Sequence, residues 1–74
     1  MRITIKCFAT LSDHTPPGGT LDVPDATTIG GLLPLLRLGP DDIKLIFVNS
    51  KNSSMDTVLA DGDQVGIFPA VGGG

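Results

Sequence analysis

The spacing of apolar residues changes along the chain from the period of a strand to that of a helix and back, and this order limits the possible folds. Residues 2–8 alternate between apolar and polar side chains, the period of a half-buried strand. Residues 20–23 alternate in the same way until Pro24 ends the pattern. The segment 12–19 between them is rich in proline and glycine, which favour turns. The chain is therefore predicted to open with two antiparallel strands.

From Thr27 the period becomes that of a helix. Either Thr27 or Thr28 can cap its start, and Gly39, followed by Pro40, is predicted to end it in the left-handed conformation. The apolar stripe has members at i, i+3, i+4 and i+7: Ile29, Leu32, Leu33 and Leu36.

Pro34 limits the length of this helix, because a proline in a helix interior costs about 3 kcal/mol. We therefore expect the helix to begin at Gly31, which places Pro34 in its first turn. Gly30 and Gly31 are poor helix formers, so packing has to hold the helix more than propensity does.

The second half of the chain predicts two further strands. Residues 43–48 are apolar on both parities, which favours a central place in the sheet, and residues 64–68 alternate after a tight turn at 61–63. Residues 49–54 are polar and turn-rich. The pattern of residues 55–59 is too short to decide whether they form a single helical turn. The order strand, strand, helix, strand, strand predicts an α+β domain in which one main helix packs on one face of a mixed sheet of about four to five strands.

The aromatic residues fall on the strand parity opposite to the core residues. If the alternating apolar residues face the helix, then Phe8, Phe47 and Phe68 face away from it. With no Trp or Tyr, these are the only aromatic residues of the chain. Large apolar side chains on an open sheet face indicate a partner-binding surface. The alternative is that Phe8 and Phe47 close the ends of the core or cover a sheet edge.

Composition argues against several classes of function. The net charge is −3, with eight acidic and five scattered basic residues, so we expect no nucleic-acid partner. There is no apolar run of about twenty residues and no secretory signal pattern, which argues against a membrane segment and secretion. Cys7 is the single cysteine, which excludes an internal disulfide and fits the cytoplasm, and His14 stands alone, so no metal site is expected.

The C-terminal tail, Gly72-Gly73-Gly74, has no side chain with which to join a core. A frayed terminus is the simpler explanation of such a run. Pro69, directly after the last strand, is instead expected to give the tail a fixed exit point. The chain is therefore divided into a domain over residues 1–71 and a flexible tail over residues 72–74.

Five motifs occur in a recognisable order: Phe8-Ala9-Thr10-Leu11, Thr28-Ile29-Gly30-Gly31-Leu32-Leu33, Val48-Asn49, Asp61-Gly62-Asp63-Gln64-Val65 and Phe68-Pro69-Ala70-Val71-Gly72-Gly73-Gly74. Over nearly its whole length the chain thereby resembles the MoaD/ThiS family, the ubiquitin-like sulfur carriers of molybdopterin and thiamin biosynthesis. Phe8-Ala9 and Phe68-Pro69 are most similar to the small subunit of molybdopterin synthase, whereas the short connection from the helix to the third strand is closer in length to the thiamin carrier. Departures from the family pattern are Pro34, Ser50 and Gly72. The resemblance implies a ubiquitin-like β-grasp fold of order ββαββ.

The resemblance also implies a chemistry. Gly74 is the reacting residue: an E1-like adenylating enzyme, using ATP and Mg, activates its carboxylate, and a persulfide converts it to a thiocarboxylate. Gly72 and Gly73 let the tail thread narrow partner channels, where a Cβ would collide. The sulfur acceptor is then the large catalytic subunit of molybdopterin synthase. The chain itself binds no cofactor and carries no catalytic base, so it is expected to be a sulfur-donating subunit and not a complete enzyme.

Three alternatives stay open at this point. The same carrier chemistry serves thiamin biosynthesis, tRNA thiolation or another sulfur acceptor. A ubiquitin-like modifier would instead join its activated Gly74 to lysines of other proteins. A simple binding module would carry an inert tail.

Overall fold

The computed structural model describes residues 1–70, which form one five-stranded mixed sheet with short helices around it. The expectations for Gly72, Gly73 and Gly74, and the domain boundary at residue 71, lie outside the described residues. The strands are β1 (Arg2–Cys7), β2 (Thr20–Asp22), β3 (Ile43–Val48), β4 (Lys51–Asn52) and β5 (Gln64–Pro69). The α-helix is α1 (Ile29–Leu32), and 3-10 helices span Ala9–His14, Pro17–Gly19, Leu33–Leu36 and Pro40–Asp42.

The strands are arranged in the order β2-β1-β5-β3-β4. The first and last strands, β1 and β5, pair in parallel, and every other neighbouring pair is antiparallel. With α1 after the first hairpin, this is the ubiquitin-like β-grasp architecture, and the predicted α+β fold is confirmed.

Residues 43–48 form an interior strand, β3, which lies between β5 and the two-residue strand β4, whereas the middle of the sheet is occupied by β5. The apolar residues on both parities of β3 have another cause. Ile46 and Val48 are buried on the helix side, whereas Leu45, on the other parity, is 39% exposed. The open face of the sheet is itself apolar at this strand.

The α-helix begins two residues earlier than predicted, at Ile29 and not at Gly31. Thr28 is the N-cap, and its hydroxyl accepts a 3.1 Å hydrogen bond from the Gly31 amide. The amides of Ile29 and Gly30 are bonded to carbonyls of the segment 55–57, which the sequence could not reveal. Pro34 is accommodated because the chain changes from α to 3-10 geometry at Leu33, which places Pro34 in the first turn of the new helix.

The helical segment ends at a left-handed residue, but that residue is Arg37 (φ 60°) and not Gly39 (φ −97°). The early end follows from the tighter 3-10 turn, and the Leu38 amide donates to the Leu33 carbonyl at 3.0 Å. None of the helices within residues 1–70 is long and apolar enough to cross a membrane.

The core lies between the sheet and the helical segments, and the alternating strand residues fill it as predicted. Leu59 belongs to this core, but residues 55–59 form no helix. The Thr57 amide donates to the Ser54 carbonyl at 3.1 Å to close a turn, and an isolated β-bridge joins Val58 to Thr28. The buried residues are Ile3, Ile5, Cys7, Leu11, Val23, Ile29, Leu32, Leu33, Leu36, Leu38, Ile46, Val48, Leu59, Val65 and Ile67.

Candidate functional site

The three phenylalanines form one cluster on the sheet face opposite the core. The rings of Phe8 and Phe68 are stacked, with centroids 4.3 Å apart and an interplanar angle of 3°. The Phe47 ring meets Phe68 edge-on at 5.6 Å. All three side chains are partly exposed. We call Phe8, Phe47 and Phe68 the aromatic face.

Strand register brings these residues together from distant parts of the sequence. The Phe8 amide donates to the Ile67 carbonyl at 3.0 Å, which continues the β1–β5 pairing by one residue. On the other side of β5, Phe47 lies opposite Gly66, and Leu45 lies opposite Phe68. Opposed residues share a sheet face, so Leu45 enlarges the apolar surface.

Gly66 leaves an open groove beside the rings. A Cβ built at this position would lie 3.4 Å from Cε2 of Phe8 and 3.8 Å from Cε1 of Phe68. A side chain here would therefore fill the space between β1 and β3. The groove has a volume of about 500 Å³, and its polar rim is formed by Thr4, Lys6, Ser50 and Gln64.

One cation stands at the rim of this groove. The Nζ atom of Lys6 lies 5.2 Å from the centroid of the Phe8 ring, within the range of a cation–π contact. The sequence interpretation did not single out Lys6, Leu45 or Gly66. The strand parity that identified the phenylalanines also places these three residues on the open face. The same alternation could therefore have identified them from the sequence.

The end of β5 is tied to the rest of the domain. Pro69 pairs with Ile43 at the start of β3 and is buried. The Ala70 amide then donates to the Asp42 carbonyl at 2.9 Å. Because β1 and β5 are parallel, Phe8 and Phe68 lie at this same end of the sheet. The last described residues of the chain therefore leave the domain beside the aromatic face.

Two titratable residues, Cys7 and His14, are held in contacts on the core side of the sheet. Burial raises the pKa of the Cys7 thiol, although a hydrogen bond with Thr15 opposes the shift. A thiol that is 3% exposed and mostly protonated is a poor nucleophile, as its position on an apolar strand predicts. His14 is occupied by a 2.9 Å contact between its Nδ1 and the Leu36 carbonyl. Within residues 1–70, no three His, Cys, Asp or Glu side chains are grouped as metal ligands.

Comparisons with known proteins agree with this architecture. The model of the ThiS family matches residues 5–74. Among solved structures, SAMP1 from Haloferax volcanii matches with a TM-score of 0.72 and 25% identity over 100% of both chains. A second structure, of H. volcanii small archaeal modifier protein 1, matches with a TM-score of 0.72 and 25% identity over 95% of this chain and 98% of that chain.

A protein of Pyrococcus furiosus assigned as molybdopterin converting factor subunit 1 matches with a TM-score of 0.74 and 25% identity, over 96% of this chain and 99% of that chain. No curated protein is matched by sequence. The family match spans nearly the whole chain, including the glycine terminus, and the neighbours share its complete fold. The chain therefore belongs to the ThiS family of ubiquitin-like sulfur carriers.

Proposed function

We propose that this sulfur carrier serves molybdopterin biosynthesis in the cytoplasm, with Gly74 as the reacting residue. The observation that supports this proposal is the aromatic face beside the exit of a chain that ends in three glycines. A docking surface next to a side-chain-free tail suits a protein that inserts its terminus into a partner's active site. The likeness to the molybdopterin converting factor subunit favours this pathway.

The proposed chemistry needs activation from outside, because a carboxylate is a poor acyl donor. An E1-like adenylating enzyme binds MgATP and uses it to activate the tail. A carboxylate oxygen of Gly74 attacks the α-phosphorus, which releases pyrophosphate and leaves an acyl-adenylate. The terminal sulfur of a persulfide then attacks the acyl carbon and displaces AMP. A thiol cleaves the resulting acyl disulfide, which leaves the thiocarboxylate and a disulfide.

Delivery follows in the large catalytic subunit of molybdopterin synthase. The thiocarboxylate sulfur attacks a carbon of the pterin precursor and displaces the oxygen substituent of that carbon. Water then hydrolyses the acyl thioester, which restores the Gly74 carboxylate and leaves the sulfur on the precursor as a thiol. In this proposal the domain contributes no general base to these steps, and its part is to present the tail. Gly72 and Gly73 serve as the spacer that threads the channel, where backbone hydrogen bonds hold it.

A second function is favoured by the likeness to the small archaeal modifier protein. The same adenylated Gly74 can be attacked by a lysine amine of another protein, which forms an isopeptide bond and releases AMP. The two functions share the activation step and differ in the nucleophile. Sulfur transfer to thiamin or tRNA acceptors would likewise use the same tail and the same activation.

Intact mass spectrometry separates these functions. The chain is incubated with an E1-like enzyme of the same genome, MgATP and a persulfide donor. Conversion of one oxygen to sulfur adds about 16 Da, close to the mass of a methionine oxidation, so the gain has to be mapped to the C-terminal peptide. Higher-mass adducts in a lysate would indicate conjugation instead. An unchanged C-terminal peptide with every such enzyme would refute the proposal.

Alkylation provides a direct trap for the thiocarboxylate in the folded protein. The only competing thiol is Cys7, whose burial and raised pKa keep it protonated and inaccessible. An alkylating reagent at neutral pH is therefore expected to label the C-terminal peptide and not Cys7. In denaturant, Cys7 becomes labelled as well, which serves as the control for the reagent.

Docking and chemistry are expected to respond to different variants. Phe68→Ala removes the central ring of the aromatic face, and we expect a loss of about 2 kcal/mol in partner affinity, roughly thirtyfold. Deletion of Gly73 and Gly74 is expected to leave docking largely intact and to abolish thiocarboxylation. Gly73→Ala should impair transfer much more than folding.

Binding is measured by calorimetry against the activating enzyme, with circular dichroism to verify that each variant is folded. Leu35→Ala is the matched control, because Leu35 is 55% exposed but lies outside the aromatic face. Equal affinities of the Phe68 and Leu35 variants would contradict the assignment of Phe8, Phe47 and Phe68 to partner binding.

A further inference from the structure

We propose that the groove over Gly66 binds an apolar side chain of a partner protein, and that a neighbouring partner carboxylate pairs with Lys6. This inference rests on the proposed function, because it concerns how the carrier is recognised by the enzyme that activates it. It adds a charged, specificity-determining contact to a surface otherwise defined by aromatic rings.

The groove over Gly66 has an open, apolar floor. Gly66 lies opposite Lys6 on β1 and opposite Phe47 on β3. Gly66 therefore forms a groove floor without a side chain, and the side chains of Lys6 and Phe47 form the two walls. The stacked rings of Phe8 and Phe68 close one end. An aliphatic or aromatic side chain of a partner fits such an open, apolar floor and would be largely desolvated there.

The charge at the groove differs in sign from that of the whole chain. The chain as a whole carries a charge of −3, yet none of its eight aspartates lines the groove, and Lys6 is the charged residue at its rim. The ion pairs formed within residues 1–70 are Arg2–Asp22 and the Met1 amino group with Asp25, and neither includes Lys6. The Lys6 ammonium instead lies over the Phe8 ring, so a positive site adjoins the apolar floor.

This combination selects the chemistry of the occupant. A single cation beside apolar rings suits one carboxylate flanked by an apolar anchor, as a protein surface presents with Asp or Glu next to Leu, Ile, Met or Phe. Nucleic acid would require several cations along a track, and the groove offers one. The partner surface is therefore acidic and apolar at the point of contact.

The test uses Lys6→Gln, Lys6→Arg and Lys51→Gln in the full chain. Lys51 is a matched exposed strand lysine, but it lies opposite Val48, whose side chain is on the core face of the sheet, and it does not line the groove. Affinity is measured by calorimetry against the adenylating enzyme that thiocarboxylates the wild-type chain, at low and at physiological ionic strength.

We expect Lys6→Gln to raise Kd about five- to tenfold and to flatten its dependence on salt, because one interfacial ion pair is lost. Lys6→Arg and Lys51→Gln are expected to stay within about twofold of wild type. Equal effects of Lys6→Gln and Lys51→Gln, or an unchanged salt dependence, would overturn the inference.

The two proposals fail in different ways. If no adenylating enzyme thiocarboxylates the wild-type chain, the proposed function is wrong and the Lys6 contact falls with it. If the wild-type chain acquires sulfur normally and Lys6→Gln binds as wild type does, the carrier function stands and only the Lys6 contact is wrong. The inference would also be overturned if the chain bound a single-stranded oligonucleotide instead of the enzyme and if Lys6→Gln weakened that binding.

Discussion

At the scale of single residues, the turn between β3 and β4 concentrates backbone strain. Asn49 and Ser50 both adopt positive φ, at 52° and 69°, which is the conformation of a tight hairpin turn. Asn49 is held by its side chain: Oδ1 accepts from the Gln64 amide at 3.0 Å and Nδ2 donates to Asp63 at 2.9 Å. Asparagine tolerates this region, whereas serine adopts it at a cost.

Ser50→Gly is therefore expected to stabilise the domain by about 0.5–1 kcal/mol. Relief of the left-handed conformation gains about 1–2 kcal/mol, and the greater unfolded-state entropy of glycine offsets about 0.4–1 kcal/mol. The measurement is urea unfolding. Ser54→Gly is the control, since Ser54 is not among the positive-φ residues and that variant should be neutral or less stable. A Ser50→Gly midpoint at or below wild type would show that the turn is not strained.

At the scale of elements, the one-turn helix α1 depends on a segment that is far away in sequence. Its first free amides are satisfied by the Thr28 hydroxyl and by the carbonyls of Met55 and Thr57. Gly30 faces this segment, and a Cβ there would lie 3.3 Å from the Met55 carbonyl oxygen. Gly31 is exposed, and a Cβ there would meet only ordinary contacts, the nearest being the Thr28 hydroxyl at 3.4 Å.

Two neighbouring glycines of this helix are thus expected to respond differently to alanine. Gly31→Ala should raise the free energy of unfolding by about 0.5–1 kcal/mol, the difference in helix propensity. Gly30→Ala should gain less or lose stability, because the methyl group crowds a backbone carbonyl that also accepts its amide hydrogen bond. Thermal denaturation of the two variants in parallel provides the comparison. A larger gain at Gly30 than at Gly31 would contradict this account of the helix start.

At the scale of the whole molecule, the central strand β5 separates stability from binding. Val65 and Ile67 point into the core, and Ile67 has no exposed surface. Gly66 and Phe68 lie on the open face with the groove and the aromatic rings. Substitutions on one parity of this strand should therefore unfold the domain, and those on the other should change recognition.

Ile67→Ala is expected to cost about 2–5 kcal/mol and Ile67→Val about 0.5–1.5 kcal/mol, because each removes buried methyl groups that the packed core cannot replace. A domain of this size has a total stability of only several kcal/mol, so the alanine variant should be partly unfolded at room temperature. Urea titrations monitored by circular dichroism measure the free energy of unfolding of both variants. Leu35→Ala, at a 55% exposed site, is the control and should change stability by less than about 0.5 kcal/mol. A comparable loss at both sites would refute the core role of Ile67.

Much of this architecture follows from local patterns. Alternation in residues 2–8, 20–23 and 64–68 predicted three strands, and the positive φ of 85° at Gly62 agrees with the tight turn expected at 61–63. The predicted start and the predicted end of the helix were both wrong. Its start at Ile29 depends on carbonyls from residues 55–57, and its end at Arg37 depends on the 3-10 geometry that begins beside Pro34.

The strand parities follow from the alternation of apolar residues alone, and hence so does the shared open face of Phe8, Phe47 and Phe68, because side chains point to opposite sides of a strand at successive positions. The sequence also shows that residues 72–74 carry no side chains. Three features emerge only from the folded chain: β5 is central, two rings stack at 4.3 Å, and Gly66 leaves a groove with Lys6 at its rim. These features depend on strand order and register between distant segments, and no local pattern encodes such pairings.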